Sequence, residues 1–285
     1  MNLLMDWKFY IIIYLIVSVI FNYGYKVITK NMVSSGAITI LIQIVSSLFC
    51  LLMIPLFEIK FPTNFKVYIF LFLATIFYTL NDRLGTTARS GLEVSTYTIL
   101  KQLSTVFMIF TGILFFKEPF ILNKFIGAIL ILVSNLLVFY NKKHFKFNKY
   151  LLLGILANLS LSFALFIDVN YSNEFNLAFY ILLTFLIPLV LICIFERIKV
   201  KQLILEYKKT NKLFLIITSI SWVLMMISKL KSYQLGKIII IAPLTSLNVI
   251  LNIFLGYIIF REKNNLLKKI IAAILIIIGI FLIKI

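Results

Sequence analysis

Apolar runs of about 20 residues recur along the whole chain, each broken by a short polar segment, and an α-helix of about that length crosses the hydrocarbon of a bilayer. The spacing predicts ten spans, at residues 9 to 28, 35 to 57, 66 to 82, 92 to 116, 120 to 140, 150 to 169, 175 to 195, 213 to 230, 237 to 260 and 265 to 284. The longest segment between them, "ERIKVKQLILEYKKTNK" from Glu196 to Lys212, leaves no room for a soluble domain, so function is expected within the membrane. No small-residue cleavage site follows the first run, which is expected to stay as a span rather than act as a cleaved signal.

Composition agrees: 62% hydrophobic and 13% charged residues over 285 positions, with a mean hydropathy of +1.07, are too apolar for a soluble domain of this size. A net charge of +18 raises the question of nucleic acid. The basic residues are spread over nearly every loop and form no aromatic-interleaved stripe, so membrane lipids with anionic headgroups are the expected counterpart and nucleic acid is not. Cys50 and Cys193 fall inside spans and the chain has a single His, which leaves no zinc ligand set and no disulfide to expect. No cofactor is expected.

Sliding the chain on itself by 144 residues lays "LKQLSTVFMIFTGILFFKEPFILNKFIGA" (100 to 128) on "LTSLNVILNIFLGYIIFREKNNLLKKIIA" (244 to 272), with 11 of 29 positions identical. Chance in so apolar a composition gives roughly three. Gly112 falls on Gly256, Phe116 on Phe260, Glu118 on Glu262 and Lys124 on Lys268. The same offset places Tyr14 on Asn158, Ser18 on Ser162 and Tyr78 on Trp222. Each half, residues 1 to 145 and 146 to 285, then holds five spans, and because five is odd the second half enters the membrane from the opposite face. The expected fold is an all-α integral membrane protein of ten transmembrane helices in two inverted five-helix repeats.

With "LFFKEPFILNKFIGAILILVSNLLV" and "GYIIFREKNNLLKKIIAAILIIIGIFLI" each closing a half, this arrangement resembles the drug/metabolite transporter superfamily in its EamA-type branch. There the fourth and ninth spans typically end in a Phe or Leu run followed by Gly-Glu. Here Lys117 and Arg261 stand in place of the Gly, and Glu118 and Glu262 are kept. The resemblance implies a multi-pass transporter of a small molecule in the cell membrane, as a monomer or homodimer, and not an enzyme.

Residues three and four apart share a helix face. In the fourth span Thr98, Lys101, Ser104 and Thr105 form a polar stripe that continues to Met108 and Gly112. In the ninth, the equivalent stripe is Thr245, Asn248, Asn252 and Gly256. Tyr14, Ser18 and Asn22 mark the first span, Asn158 and Ser162 the sixth, Thr75 and Tyr78 the third, and Ser219 and Trp222 the eighth. Polar side chains facing lipid are costly, so these faces are expected to turn inward onto a shared cavity, the alternative being that they only join helices. Lys101 lies about 12 Å inside its span at 1.5 Å per residue from Glu93, deep enough for an anionic substrate group to offset its burial, unless its stem snorkels to the surface. "VSTYTILKQLSTVF" also resembles the fourth span of the superfamily's nucleotide-sugar carriers, whose Tyr-x-x-x-Lys pattern implies that Tyr97 and Lys101 line the site. Tyr14, Tyr78 and Trp222 are suited to stacking on a ring or covering an ammonium group, so a zwitterion of the amino-acid kind fits both features.

Asp82, Glu93, Asp168 and Glu174 fall near the predicted span ends, so no intramembrane carboxylate for proton exchange is expected; Asp82 and Asp168 are read as interfacial charges, the alternative being a place at a cavity mouth, and Glu118 and Glu262 are expected to favour the N-termini of the helices that follow them. No P-loop is present, and an intramembrane transferase would need clustered carboxylates, a His or a catalytic Cys near one interface. A lipid-phosphate flippase on the same fold remains open, with Lys101 meeting a phosphate. The resemblance implies cytoplasmic termini. The charge count opposes it: the loops after spans one, three, five, seven and nine hold 18 Lys and Arg against nine on the other side, which makes "NKKHFKFNK", Asn141 to Lys149, cytoplasmic.

Overall fold

The computed structural model describes residues 6–104, 106–107, 121–139, 148–235, 244–245, 247–262 and 265–284. Among them the regular structure is helical: α1 Trp7–Thr29, α2 Ser35–Met53, α3 Phe65–Gly91, α4 Val94–Lys101, α5 Leu122–Phe139, α6 Lys149–Tyr171, α7 Leu177–Phe195, α8 Val200–Lys209, α9 Lys212–Leu235, α10 Asn248–Ile259 and α11 Leu266–Lys284. Short polar residues begin several of them. Asp6, Ser34, Asn64, Asn148 and Asn176 each accept from a backbone N–H in the first turn of the helix that follows, which satisfies donors that a helix start leaves unpaired.

Among the described residues seven helices are long and apolar enough to cross a membrane: α1, α2 with the 3-10 turn after it, α3, α6 as far as Asp168, α7, α9, and α11 as far as Ile283. Their outer faces repeat large exposed apolar side chains at helical spacing, as in Ile12, Ile16 and Ile20 on α1 or Ile274, Ile278 and Phe281 on α11. Such a surface suits lipid. The predicted spans four, five and nine appear in shorter or partial form as α4, α5 and α10, and Thr105, Met108, Gly112, Lys117 and Glu118 lie outside the described residues.

Three expectations are corrected. The third span does not stop at residue 82: α3 runs on to Gly91, carrying Asp82, Arg83 and Arg89 inside a helix. The eighth likewise continues to Leu235, past Lys229. The Glu196-to-Lys212 segment is not a plain loop, for α8 forms within it. Hydropathy underestimates the first two because polar side chains turned toward other helices lower a window average without ending the helix.

The most extensive helix pairings are α1 with α9, α3 with α6, and α5 with α11, followed by α2 with α7, α3 with α7, α2 with α9 and α4 with α10. Helices α5 and α11 approach at two glycines, where a Cβ on Gly127 would stand 2.3 Å from the Gly279 carbonyl oxygen. At one end of the molecule the start of α2 meets α8, whose buried Glu206 accepts from the N–H groups of Val33 and Ser34. Gly91, ending α3, lies against the Tyr150 ring that begins α6 at the same end. At the opposite end Asn176, between α6 and α7, donates from its amide to the carbonyls of Ile54, Phe57 and Glu58.

Residues 140–147 lie outside the described residues; α8, at the end of the molecule where α6 begins, carries exposed lysines. The charge count therefore predicts that Lys201→Cys, in a background without Cys50 and Cys193, escapes a membrane-impermeant thiol reagent in intact cells and reacts after permeabilisation. Labelling in intact cells would place this end outside.

Candidate functional site

A cavity opens between α1, α3, α4, α6, α7 and α9; about 60 Å³ of it has room for the centre of a water molecule, within about 760 Å³ of non-atom space that includes the open solvent at its mouth. Tyr14, Phe21 and Tyr25 line it from α1; Tyr78, Asn81, Asp82, Gly85, Thr86 and Arg89 from α3; Tyr97 and Lys101 from α4; Trp222, Met225, Met226 and Lys229 from α9. The α3 contribution follows from helical geometry, because residues 78, 82, 85, 86 and 89 are three and four apart and share one face.

Arg89 is the centre of one wall. Its guanidinium carbon lies over the Tyr97 ring at 4.1 Å, the Tyr25 ring at 4.7 Å and the Phe21 ring at 5.1 Å. One of its N–H groups donates to Asn22 Oδ1 at 2.9 Å. Asp82, buried, accepts from Gln43 Nε2 at 2.9 Å and Asn81 Nδ2 at 3.1 Å. A hydroxyl chain stiffens the same helix, Tyr25 to Thr86 at 2.6 Å and Thr39 to Thr86 at 2.8 Å. Asp168 is fully buried and accepts from the hydroxyls of Tyr78 and Tyr180. Among the described residues no carboxylate forms an ion pair with Arg89, Lys101 or Lys229. The wall thus presents three cations against one carboxylate, Asp82.

Of the residues singled out in the sequence, Lys101, Tyr97, Tyr14, Tyr78 and Trp222 meet in this cavity. Trp222 packs its ring against Phe185 at 4.7 Å and Phe21 at 5.7 Å. Asn252 and Asn248 lie beside the cavity, not on its lining. Asn22 donates to Asn252 Oδ1 and Asn252 donates to Asn248, which ties α10 to α1 and, through Asn22, to Arg89, and the Tyr14 hydroxyl lies near Asn248. Thr245 lies near Tyr233 of α9. Ser18, Thr98, Ser104 and Asn158 are buried outside the lining, each donating to a carbonyl three or four residues back in its own chain segment. That local bond explains how the three hydroxyls are tolerated in an apolar interior without serving a ligand, whereas Asn158 Oδ1 is buried with no partner among the described residues.

Three charged cavity residues are not among those singled out in the sequence: Arg89, Asp82 and Lys229. Arg89 falls between predicted spans three and four and Asp82 at the end of span three, and their shared spacing with Tyr78 is the available signal. Lys229 lies near the end assigned to span eight. Asp82 and Asp168, read as interfacial charges with a cavity mouth as the alternative, are buried among helices, 6% and 0% exposed, and Asp82 lines the cavity.

Helix α4 ends at Lys101, and α10 begins at Asn248, which the 144-residue offset lays on Ser104. Gln102 and Leu247, beside those two ends, keep helical backbone angles. Beyond Arg89 a second, smaller pocket is lined by Asn22, Lys26, Leu92, Val94 and Tyr97. Behind Val94, which lines it, lies an ionic cluster: Glu262 accepts from Val94 N at 2.7 Å and from the amide and hydroxyl of Ser95, while Lys269 reaches Glu93 at 2.5 Å and Glu262 at 3.8 Å. Lys26 donates to the carbonyls of Arg89, Ser90 and Leu92. Glu262 was expected at the start of its own following helix; its carboxylate instead caps α4, where the unpaired N–H groups of a helix start attract an anion. Gly256 makes room for it, since a Cβ there would stand 2.5 Å from a Glu262 carboxylate oxygen.

These features define a multi-pass helical membrane protein with a cationic, aromatic-walled cavity among its helices. No family model matches the chain, and no curated protein matches it significantly.

Proposed function

We propose that this protein is a secondary transporter that carries a small anionic or zwitterionic metabolite across the cell membrane, on a ten-helix inverted-repeat fold of the EamA type in the drug/metabolite transporter superfamily. The carrying observation is the cavity itself. Three cations without carboxylate partners among the described residues face one space deep among apolar helices, where uncompensated charge is costly unless a ligand or water meets it.

Several features support the fold. Exchanging the halves maps α1 onto α6, α2 onto α7, α3 onto α9, α4 onto α10 and α5 onto α11, and it carries the pair α1 with α9 onto α6 with α3, and α3 with α7 onto α9 with α2. The same exchange relates the docking of the α1–α2 connection on the segment after α7 to that of the α6–α7 connection on the segment after α2, at opposite ends of the molecule. Arg261, where the superfamily pattern carries glycine, has φ 53°, a conformation glycine adopts freely.

The test is uptake by purified protein in proteoliposomes against a labelled panel of amino acids, dicarboxylates, nucleotide sugars and isoprenoid phosphates. At least one anionic or zwitterionic member is expected to accumulate or exchange above protein-free liposomes. A panel in which only neutral or cationic solutes move, or none does, sinks the proposal.

A further inference from the structure

The proposed function leaves open how the cavity holds its cargo. We infer that Arg89 is the specific anchor, gripping an oxyanion, carboxylate or phosphate, through the free N–H edge of its guanidinium; the inference rests on the binding role assigned to this cavity. Three rings surround the guanidinium carbon at 4.1 to 5.1 Å, and a ring face attracts the charge without accepting N–H bonds as an oxygen does. The only acceptor that its N–H groups meet among the described residues is Asn22 Oδ1. The remaining donors, in a fixed planar fork, have no acceptor there, although the group lines a cavity. A fork held by stacking and left open along its edge is the arrangement that binds carboxylate or phosphate in a bidentate manner.

The surroundings fix this geometry. Asn22 is itself held by Asn252, so the one protein acceptor is tied to α10. Asp82, on the same face of α3 seven residues earlier, has its two oxygens engaged by Gln43 and Asn81, which keeps it from closing on Arg89. Lys101 adds a second cation to the same wall but, as a point charge on a flexible stem, supplies attraction without planar selectivity. Arg89 also lines both the cavity and the smaller pocket toward Glu262, so a bound oxyanion would sit at the junction of the two.

The experiment measures thermal unfolding of the purified full-length protein in detergent with sodium phosphate, sodium acetate or sodium chloride at matched ionic strength. A ligand that binds the folded state raises the midpoint by mass action. Phosphate or acetate is expected to raise it above chloride. Acetate alone would identify a carboxylate site and phosphate a phosphoryl site, and either supports the inference. Arg89→Lys and Arg89→Gln are expected to need at least tenfold more oxyanion for the same shift, whereas the surface change Lys208→Gln leaves it as in the parent. Should the Arg89 variants not fold, Asn22→Asp places a near-isosteric carboxylate against the fork and is expected to abolish the oxyanion shift. The inference is overturned if neither oxyanion exceeds chloride, if Arg89→Lys responds as the parent does, or if Asn22→Asp keeps the shift. Oxyanion binding without transport of any panel member would remove the transporter reading and leave the anchor. Transport of solutes with no oxyanion effect would do the reverse.

Discussion

Lys101→Ala is expected to lower transport of an anionic or zwitterionic substrate by about ten- to a hundredfold while leaving the folded protein at least as stable as its parent. The two signs are opposite for one reason. Lys101 lies at the end of α4 on the wall of the cavity, and no described carboxylate pairs with it. Its charge therefore costs the empty protein, by about 2.5 to 3.5 kcal/mol if fully within the hydrocarbon on insertion scales, and alanine removes that cost. A hydrogen bond to a charged ligand group contributes about 1.5 to 3 kcal/mol, and its loss gives the expected fall in transport. Lys101→Arg should retain part of the activity, because the charge remains. The measurement pairs initial uptake rates in proteoliposomes with the unfolding midpoint in detergent. Undiminished uptake by the alanine variant would remove the counter-ion role, and a large fall in midpoint would mean that Lys101 is structural instead.

Glu262→Ala should be the most destabilising single change in the ionic cluster, by about 3 kcal/mol. The carboxylate is 7% exposed and the lysine it approaches, Lys269, 2%. Removing Glu262 leaves two N–H groups at the start of α4 and the Ser95 hydroxyl without their acceptor, and leaves Lys269 with Glu93 as its remaining ion-pair partner among the described residues. A buried charge that loses a partner is worse than an apolar residue in its place. Lys269→Met combined with Glu262→Gln should therefore cost less than the two single changes added together, since each single change strands the other group. Additive midpoint shifts would show that the cluster is not one unit. A parent-like midpoint for Glu262→Ala would show that the cap on α4 contributes little.

The membrane class of this protein was legible in its sequence because hydropathy is a local, additive property. Apolar runs of spanning length leave few other folds available, and the helices at 7–29, 35–53, 177–195 and 266–284 follow them closely. Helix starts were also locally encoded, by the Asn, Ser or Asp before them. Of the residues singled out in the sequence, Lys101, Tyr97, Tyr14, Tyr78 and Trp222 share the cavity.

Tertiary structure alone decided which polar residues serve the cavity and which serve their own backbone. Ser18, Thr98, Ser104 and Asn158 carry the same kind of side chain as a ligand-binding residue, but each bonds a carbonyl one turn back, and that choice depends on what packs opposite. Arg89 and Asp82 show the converse. A window average treats them as the end of a span, because it counts polarity without knowing which way a side chain faces. Only the packing of α3 against α1, α4 and α6 turns their face inward, and the partner that Glu262 found lies 168 residues away at the start of α4. Sequence fixes the length and polarity of each helix through neighbours along the chain, whereas the direction in which a face points is set by contacts between segments far apart in it.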